Sequence, residues 1–465
     1  MSGIFGVVSK KDCVDSLFYG TDYHSHLGTQ FAGLAVWGKT LNKKIHDISW
    51  SQFKSKFSQE RPTLKGQKGI GVISAQHPQP ISINSKLGPF ALCTNGFIDN
   101  TDELVKELMA KGESFSDSFD GQINMSELVA KLINRGETLV EGIEKMFSAI
   151  KGSVSLLILT RDGVWAARDR YGSTPLVAGE KKDEFAVTTE TTAFLNLGFK
   201  VKKILAPGEI VFIDQKGLRS KNKAFNCRQI CAFLWIYTGF PASSYEGINV
   251  EAVRERCGQC LARADKVKID LVAGIPDSGT THAIGYALAS RVPFRRPLVK
   301  YTPGFDRSYT PPSQAQRDLI AKMKLLAISD IIKGKRIVIC DDSIVRGTQF
   351  KNFTIQKLWN NGVKEIHLRI ACPPLMFPCK FNYSTRTLAE LAGRRAIKAM
   401  EKKDIKDISR YLDQEDPHYR KMVNWITGDL NVTSLKYQKL DDMVRAIGLP
   451  KEDLCLYCWT GKDRV

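Results

Sequence analysis

The sequence lacks the features that mark membrane, secreted and repeat proteins. It contains no window that resembles a membrane span of about 20 apolar residues, no internal repeat and no low-complexity segment. The N-terminus, MSGIFGVVSKKD, has a short apolar run but neither a preceding basic segment nor an A-x-A cleavage site, which argues against a signal peptide. We therefore expect a cytoplasmic protein with no membrane partner.

Negative charge is in deficit, because 49 Asp and Glu residues stand against 68 Lys and Arg residues, for a formal net charge of +19. Such an excess can indicate a nucleic-acid-binding surface. The basic clusters, however, are short and scattered, as at Lys43–Lys44, Lys202–Lys203 and Arg394–Arg395. We predict a solvated basic surface and no nucleic-acid partner.

The chain of 465 residues is too long for one ordinary core, so two domains of about 200 residues each and a tail are expected. Residues 1–225 alternate short strands with turns and helical stretches, which is typical of a layered α+β domain. Residues 226–393 alternate buried apolar strands with amphipathic helices, which indicates the parallel βαβ units of an α/β domain. Residues 394–465 are predicted to form a charged helical tail that carries a C-x-x-C pair.

The most informative segment is IVICDDSIVRGT, at residues 337–348. Four apolar residues predict a buried parallel strand, and Asp341 and Asp342 follow at its C-terminal end, where open α/β sheets bind ligands. The backbone N–H groups of the loop that follows suit a phosphate dianion. Because two carboxylates repel a phosphate, they fit better beside ribose hydroxyls or a ribosyl centre that becomes positive. The alternative is that the acids only cap the helix and turn.

These residues carry a resemblance to a known family. CDDSIVRGT resembles the motif for phosphoribosyl pyrophosphate (PRPP) of type I phosphoribosyltransferases, in the version of the glutamine PRPP amidotransferase family. PDSG at residues 276–279 is similar to the family's pyrophosphate loop, and LRIACPP and TGDLNVTSLKYQKLDDMVRAIGLP are similar to further family segments. The resemblance extends over nearly the whole chain.

The resemblance implies a set of PRPP-binding residues and a cation. Asp341 and Asp342 would face the ribose hydroxyls near a Mg²⁺ ion that bridges pyrophosphate oxygens. Residues 300–314 resemble the mobile loop that closes over PRPP, although KYTP replaces the family's Lys-Asn-Arg-Tyr and an ordinary surface loop is the alternative. The implied PRPP-binding residues are Asp277, Ser278, Gly279, Lys300, Arg307, Ser343, Val345, Arg346, Gly347 and Thr348.

The first domain resembles the glutaminase half of the same family, an N-terminal-nucleophile hydrolase fold of sandwiched sheets. The family's catalytic cysteine is replaced by Ser2, and its His-Arg-Gly by His26-Leu27-Gly28. Ser74 stands in place of the arginine for the glutamine carboxylate, and Met125 in place of the aspartate for the amine. The oxyanion-hole pair Asn95 and Gly96 is retained. Because an amino acid leaving water needs charged partners, this pattern predicts a degenerate glutaminase site.

The eleven cysteines, an odd number without a secretory signal, do not look like a disulfide framework. By the resemblance, four of them match the ligands of a four-iron four-sulfur cluster. The same thiolates suit structural zinc, and buried free thiols are the third interpretation. Cys257 and Cys260, in a helical segment, are predicted to be structural. The four matching residues are Cys231, Cys379, Cys455 and Cys458.

The leading hypothesis is an enzyme that displaces pyrophosphate from PRPP with ammonia or another amine, without glutamine hydrolysis by its own N-terminal domain. Positioning and electrostatics would carry the rate, since pyrophosphate leaves as positive charge builds at C1 of the ribose. The alternative is a catalytically silent regulatory or scaffolding subunit that binds PRPP or purine nucleotides. A Ser2-dependent hydrolase of another amide is a weaker third reading. We expect a homo-oligomer, with purine nucleotides as candidate effectors and a glutaminase-competent protein as a candidate partner.

Overall fold

The computed structural model describes residues 2–116, 118–119, 121–301, 325–347, 350–385 and 387–463. Within this part of the chain, no helix has the length and apolar character needed to cross a membrane. The α-helices are Val14–Asp22, Phe53–Phe57, Thr101–Ala110, Met125–Ile133, Leu139–Ala149, Thr192–Leu195, Val250–Arg263, Thr280–Ser290, Ser329–Ile332, Gln356–Asn360, Ala392–Glu401, Ser409–Leu412, Pro417–Leu430, Leu440–Ile447 and Tyr457–Thr460. Short 3₁₀ or π turns lie at Arg61–Thr63, Leu234–Thr238, Phe350–Ile355, Leu388–Glu390 and Lys451–Asp453.

The N-terminal part is a sandwich of two antiparallel sheets. The first sheet runs, in spatial order, through Lys200–Ile204, Val177–Lys181, Glu184–Thr188, Gly3–Ser9, Lys68–Ser74, Phe31–Trp37 and Leu41–Asp47. The second runs through Gly217–Ser220, Ile210–Asp214, Val164–Ala167, Gly152–Leu159, Gly88–Ile98 and Ile81–Ser85.

Side-chain alternation along the strands explains why these sheets stack and are covered by helices. On the strand Gly3–Ser9, Ile4 and Val8 belong to the core between the two sheets, whereas Phe5 and Val7 belong to the core beneath the helix Val14–Asp22. The period of two places successive side chains on opposite faces. Both faces are therefore buried, and the result is a four-layer arrangement with helices outside both sheets.

The second part is built on a parallel sheet with the spatial order Leu271–Gly274, Arg336–Asp341, Glu365–Ile370 and Ser434–Tyr437. Helices pack on it through a continuous core from Ile230 to Trp459. Short strand pairs complete the described elements: Ser118–Phe119 with Gln122–Ile123, Ile230–Cys231 with Leu454–Cys455, Ser244–Tyr245 with Ile248–Asn249, and Leu298–Lys300 with Leu325–Ala327.

The C-terminal segment differs from a simple helical tail. Its strand Ser434–Tyr437 pairs in parallel with Glu365–Ile370, and its side chains share the core of the parallel sheet. Without a further strand, the backbone N–H and C=O groups on one side of Glu365–Ile370 would be unpaired, and Ser434–Tyr437 forms hydrogen bonds with them. The proposed boundaries at residues 225 and 393 remain predictions.

Candidate active site

Two buried acids lie at the carboxyl end of the parallel sheet. The strand Arg336–Asp341 is buried along its apolar residues and ends at Asp341, which is 7% exposed. Asp342 follows directly at the same end of the sheet and is 4% exposed. Burial raises the pKa of both carboxyls, and the neighbouring charge of Asp342 raises the pKa of Asp341 further. Two acids in this position favour binding of a positive charge or of hydroxyl groups.

The predicted pyrophosphate loop lies directly beside these acids. The hydroxyl of Ser278 donates to Asp341 Oδ1 at 2.8 Å. Gly279 permits this approach, because an added Cβ would lie 2.0 Å from the carbonyl oxygen of Cys340. Asp277 has an exposed side chain and forms an ion pair of 3.2 Å with Lys300. The structure thus brings together the residues that the sequence predicted from two separate motifs.

The predicted phosphate loop follows Asp342. Ser343 donates its hydroxyl to Asp342 Oδ2 at 2.6 Å. Gly347 has φ of +75°, the left-handed region in which glycine avoids a Cβ penalty. Arg346 forms an ion pair with Glu390, and the backbone carbonyl of Val345 accepts a hydrogen bond from Ala392. Of the predicted PRPP-binding residues, Thr348 and Arg307 lie outside the described residues.

A cavity of about 890 Å³ connects this site with the N-terminal domain. On one side it is bounded by Ser278, Asp342 and Ser343, and on the other by His26 and Leu27. Clefts of ~300–1,000 Å³ are the usual size of small-molecule sites. Among the predicted residues, those that line this cavity are Leu27, Asp277, Ser278, Lys300, Asp342, Ser343, Val345, Cys231, Cys379 and Cys458.

The predicted nucleophile lies at the end of the sandwich. The backbone N–H of Ser2 donates to Asn95 Oδ1 at 3.0 Å, and the N–H of Ala75 donates to the Ser2 hydroxyl at 3.3 Å. Gly96, next to Asn95, has φ of +149°, and an added Cβ would lie 1.8 Å from the carbonyl oxygen of Ser153. The framework that surrounds an N-terminal nucleophile is therefore present around Ser2.

Three neutral residues stand at the positions where the family is expected to bind the charged groups of glutamine. Two of them are already in contact with other side chains of the protein. Ser74 is fully buried, and its hydroxyl accepts hydrogen bonds from Gln79 Nε2 at 3.3 Å and from the backbone of Gln76 at 3.4 Å. Met125, 8% exposed, packs in the apolar core under the second sheet. Leu27 lies on the cavity between the domains. These three positions supply no charge to a bound amino acid.

Two buried charged residues, Arg254 on the cavity wall and Glu190 in contact with the wall residue His26, were not predicted from the sequence. Glu190 is buried and accepts from His26 Nε2 at 2.9 Å and from the hydroxyl of Tyr245 at 2.7 Å. Arg254, on the cavity wall, is also buried and donates to backbone carbonyls. The signal available for Glu190 was an acid inside the otherwise uncharged stretch FAVTTETTAF. Arg254 lies in a helix rich in charges, where a single buried arginine gives no local signal.

The structure brings the four predicted cysteine ligands near one another, with three of them on the cavity wall. Cys231 and Cys455 are register partners in a parallel strand pair, and Cys379 and Cys458 line the cavity with Cys231. Burial raises the pKa of the Cys231 thiol, and it raises the pKa of Cys455 to about 11. The pKa of Cys458 is raised by its hydrogen bond with Cys379 and by burial.

The placement of these thiols falls short of a recognisable metal centre. Within the described ranges, no three His, Cys, Asp or Glu side chains are arranged to hold a metal ion, so the cluster prediction gains no support from ligand geometry. The cysteines, all of which the structure describes, form no disulfide. Cys257 is buried and Cys260 is half-buried on the helix Val250–Arg263.

Comparison with known proteins agrees with this architecture. Residues 68–196 match the model of the glutamine amidotransferase domain. The chain is 31% identical to the amidophosphoribosyltransferase of Methanocaldococcus jannaschii, over 99% of this chain and 97% of the relative. It is also 31% identical to the Bacillus subtilis amidophosphoribosyltransferase, over 99% and 93% of the two chains.

A solved structure extends the similarity to the whole fold. The B. subtilis glutamine PRPP amidotransferase, complexed with ADP and GMP, matches with a TM-score of 0.85 at 30% identity, over 99% of this chain and 97% of that one. The fold is thus an N-terminal-nucleophile glutamine amidotransferase domain followed by a phosphoribosyltransferase domain. The chain belongs to the amidophosphoribosyltransferase family. The predicted fold class and family resemblance are confirmed.

Proposed function

We propose that this chain displaces pyrophosphate from PRPP with ammonia or another amine, and that its N-terminal domain does not hydrolyse glutamine. The observation that carries the catalytic half is the buried pair Asp341 and Asp342, with Ser278 hydrogen-bonded to the first acid at 2.8 Å. Burying two neighbouring carboxylates is costly unless a positive partner offsets their repulsion. A ribosyl centre that becomes positive as pyrophosphate leaves is such a partner.

The residues of the two loops act by positioning. The backbone around Gly347 would hold the 5-phosphate, and the loop at Asp277 to Gly279 would hold the pyrophosphate. With both ends fixed, C1 of the ribose lies between them, and an amine in the cavity can attack as the C1–oxygen bond breaks. The proton released by the amine passes to solvent or product.

Mg²⁺ is part of the proposal. Asp341 and Asp342 are hard oxygen donors near the predicted pyrophosphate loop, which is the donor chemistry that Mg²⁺ prefers. When bound, the ion would neutralise charge on the leaving pyrophosphate. Burial raises the pKa of both acids, and a cation bound beside them would lower it again and favour the ionised form that binds the ion.

The absence of glutaminase activity rests on the chemistry of the N-terminal site. Ser74 is engaged by Gln79, Met125 lies in an apolar core, and neither can pair with the carboxylate or ammonium of glutamine. Ser2 is also a weaker nucleophile than a cysteine thiolate at neutral pH. Asn95 remains next to Ser2 but would stabilise an intermediate that is not readily formed.

We also propose that Cys231, Cys379, Cys455 and Cys458 hold a four-iron four-sulfur cluster, with zinc as the alternative. Four thiolates are a suitable donor set for either group. Gln229 donates to the sulfur of Cys455 at 3.6 Å, and the backbone of Asn382 donates to that of Cys379 at 3.3 Å. Both side-chain amide atoms of Asn382 are buried without a hydrogen-bond partner among the described residues, which fits a site that accepts a further group.

Regulation by purine nucleotides and assembly into a homo-oligomer are further parts of the proposal. The B. subtilis relative was solved with ADP and GMP, and a second similar structure, with TM-score 0.85 at 30% identity, is described as the allosteric regulatory enzyme of purine biosynthesis. Binding of nucleotides by these relatives is also compatible with the alternative function, a silent subunit that binds PRPP or purine nucleotides.

The deciding experiment measures pyrophosphate release from PRPP by the purified protein with Mg²⁺. Ammonium chloride, a series of primary amines, and glutamine would each be supplied as the nitrogen source. We expect release with ammonium or an amine and none above background with glutamine alone. Tight PRPP binding without release under any of these conditions would favour the regulatory alternative, and glutamate production from glutamine would contradict the loss of glutaminase activity.

A further inference from the structure

The cavity continues past the acids into a region with aromatic walls. Phe233, Tyr237 and Phe240 line it together with Leu27 from the N-terminal domain. Tyr237 is 56% exposed and Phe240 is 42% exposed, although both lie inside a concave site. Ammonia is too small to cover such surface. Large exposed apolar side chains in a cleft usually mark a contact with an apolar ligand group.

The wall is held in place by hydrogen bonds to the backbone that carries it. Arg254 donates to the carbonyl oxygens of Tyr237 at 2.9 Å and Gly239 at 2.8 Å, and it is 5% exposed. The backbone N–H of Phe240 donates to the buried carboxylate of Glu190 at 3.3 Å. Both aromatic residues therefore belong to a segment that is fixed before a ligand arrives, which reduces the ordering cost of binding.

His26 forms the facing part of this region. Its Nε2 lies 2.9 Å from Glu190, and its ring centroid lies 5.1 Å from that of Phe240. Tyr245 and Ser243 hydrogen-bond the same carboxylate, so the orientation of the imidazole is set by a carboxylate that cannot itself move freely. With the two ring planes inclined at 51°, His26 and Phe240 pack against each other and form one fixed apolar corner of the region.

We propose that this region, defined by Leu27, Phe233, Tyr237, Phe240 and His26, is an acceptor subsite for a primary amine with an apolar or aromatic substituent. The inference rests on the proposed function, since it concerns the amine that attacks PRPP. The amino group would face Ser343 and Asp342, and the substituent would lie against Phe240 and Leu27. Apolar burial and stacking then distinguish such an amine from ammonia.

The test compares ammonium, methylamine, isobutylamine and benzylamine at saturating PRPP. For each nitrogen source, kcat/KM is obtained from pyrophosphate release over a range of concentrations of the unprotonated amine. We expect kcat/KM to rise along this series, with benzylamine exceeding methylamine by roughly tenfold or more, the scale of a well-formed apolar pocket. Equal values for all four amines, or a preference for ammonium, would overturn the subsite.

Variants test whether the preference comes from this wall. Phe240→Ala should lower the benzylamine-to-ammonium ratio of kcat/KM by roughly tenfold. Phe225→Ala is the matched control, because Phe225 is 41% exposed and does not line the cavity. Leu27→Trp, which fills the subsite instead of opening it, should lower the same ratio and serves where Phe240→Ala does not fold. An unchanged ratio in folded Leu27→Trp would contradict the proposal.

Equilibrium binding separates this inference from the proposed reaction. Benzylamine titrated calorimetrically into the protein without PRPP, so that no reaction can occur, should saturate, and Leu27→Trp should weaken its binding at least tenfold. Pyrophosphate release with ammonium but no benzylamine binding would leave the proposed function intact and refute the subsite. Binding of benzylamine that depends on Leu27, without pyrophosphate release by any amine, would support the subsite and refute the proposed reaction.

Discussion

The hydroxyl of Ser278 donates a 2.8 Å hydrogen bond to Oδ1 of Asp341, across 63 residues of sequence. This contact joins the predicted pyrophosphate loop to the acid pair that follows the strand Arg336–Asp341. A change on either side therefore alters the charge and the position of the other. The two loops lie side by side because their strands are neighbours in the parallel sheet.

The first prediction concerns that hydrogen bond and pH. Ser278 lowers the pKa of Asp341, whereas burial raises it above the ordinary range. Removing the hydroxyl in Ser278→Ala should therefore raise the pKa of Asp341 further. If turnover needs the ionised acid, the rising limb of the profile of kcat against pH moves to higher pH. Ser278→Thr keeps a hydroxyl and should restore the original limb. If the unmodified chain, Ser278→Ala and Ser278→Thr gave superimposable profiles, turnover would not depend on the ionisation of Asp341.

The second prediction concerns the acid pair itself. Replacing both acids in Asp341→Asn with Asp342→Asn removes the negative charge but keeps similar shape. PRPP binding, measured calorimetrically, should be largely retained, while kcat for pyrophosphate release should fall by roughly 10²-fold, the scale seen on losing electrostatic stabilisation of a transition state. Asp330→Asn, an exposed acid away from the cavity, is the control. Full turnover by the double variant would show that the acids have no role beside the ribose.

The third prediction concerns the phosphate loop. Gly347→Val places a branched side chain at φ of +75°, where an added Cβ would also lie 3.1 Å from Leu430. The loop should distort, and PRPP affinity should fall by at least tenfold, because backbone N–H groups no longer converge on the phosphate.

A second glycine provides the matched control for that loop. Gly334 has φ of +71° and no atom within 4 Å of an added Cβ. Gly334→Val therefore carries the same backbone strain outside the proposed site and should change thermal stability without changing the Kd for PRPP. Equal loss of affinity in both variants would trace the effect to general destabilisation.

The fourth prediction concerns glutamine. The unmodified chain should release no detectable glutamate, and Ser2→Cys alone should leave this unchanged, because the ionic contacts that hold the substrate are still missing. Adding Leu27→Arg, Ser74→Arg and Met125→Asp should produce a measurable but low rate. Met125 and Ser74 are buried, so circular dichroism must first confirm that the combined variant is folded. Robust glutamate release from Ser2→Cys alone would show that the glutamine pocket lies elsewhere.

The fifth prediction concerns the cysteines. Protein purified without air should be brown and contain iron and inorganic sulfide, and Cys455→Ser should lose both together with folded protein, since metal binding contributes to folding. Cys227→Ser is the control, because Cys227 is close in sequence to Cys231 but outside the proposed ligand set. Colourless protein with stoichiometric zinc would assign the site to zinc instead.

Some elements were predictable because their signals are local. The strand that ends at Asp341, its acids and the glycine-containing loop follow one another in twelve residues, IVICDDSIVRGT at 337–348, so their order alone predicts a ligand-binding sheet edge. The strand Ser434–Tyr437 was not predicted, because its alternation extends over only four residues, SLKY, and its role comes from a partner strand at Glu365–Ile370. Strand pairing over such distances depends on the packed fold.

The amino-acid sequence by itself determined the acid pair, the glycine-containing loop predicted to bind phosphate and the neutral residues Ser74 and Met125, because each depends on residue type at a given position. Only the tertiary structure decided what faces the acids. The ring contact of His26 with Phe240 and the hydrogen bond from Tyr245 to Glu190 arise where two domains meet. Contacts between domains depend on three-dimensional packing, and no periodicity along the chain encodes which surfaces will enclose the cavity.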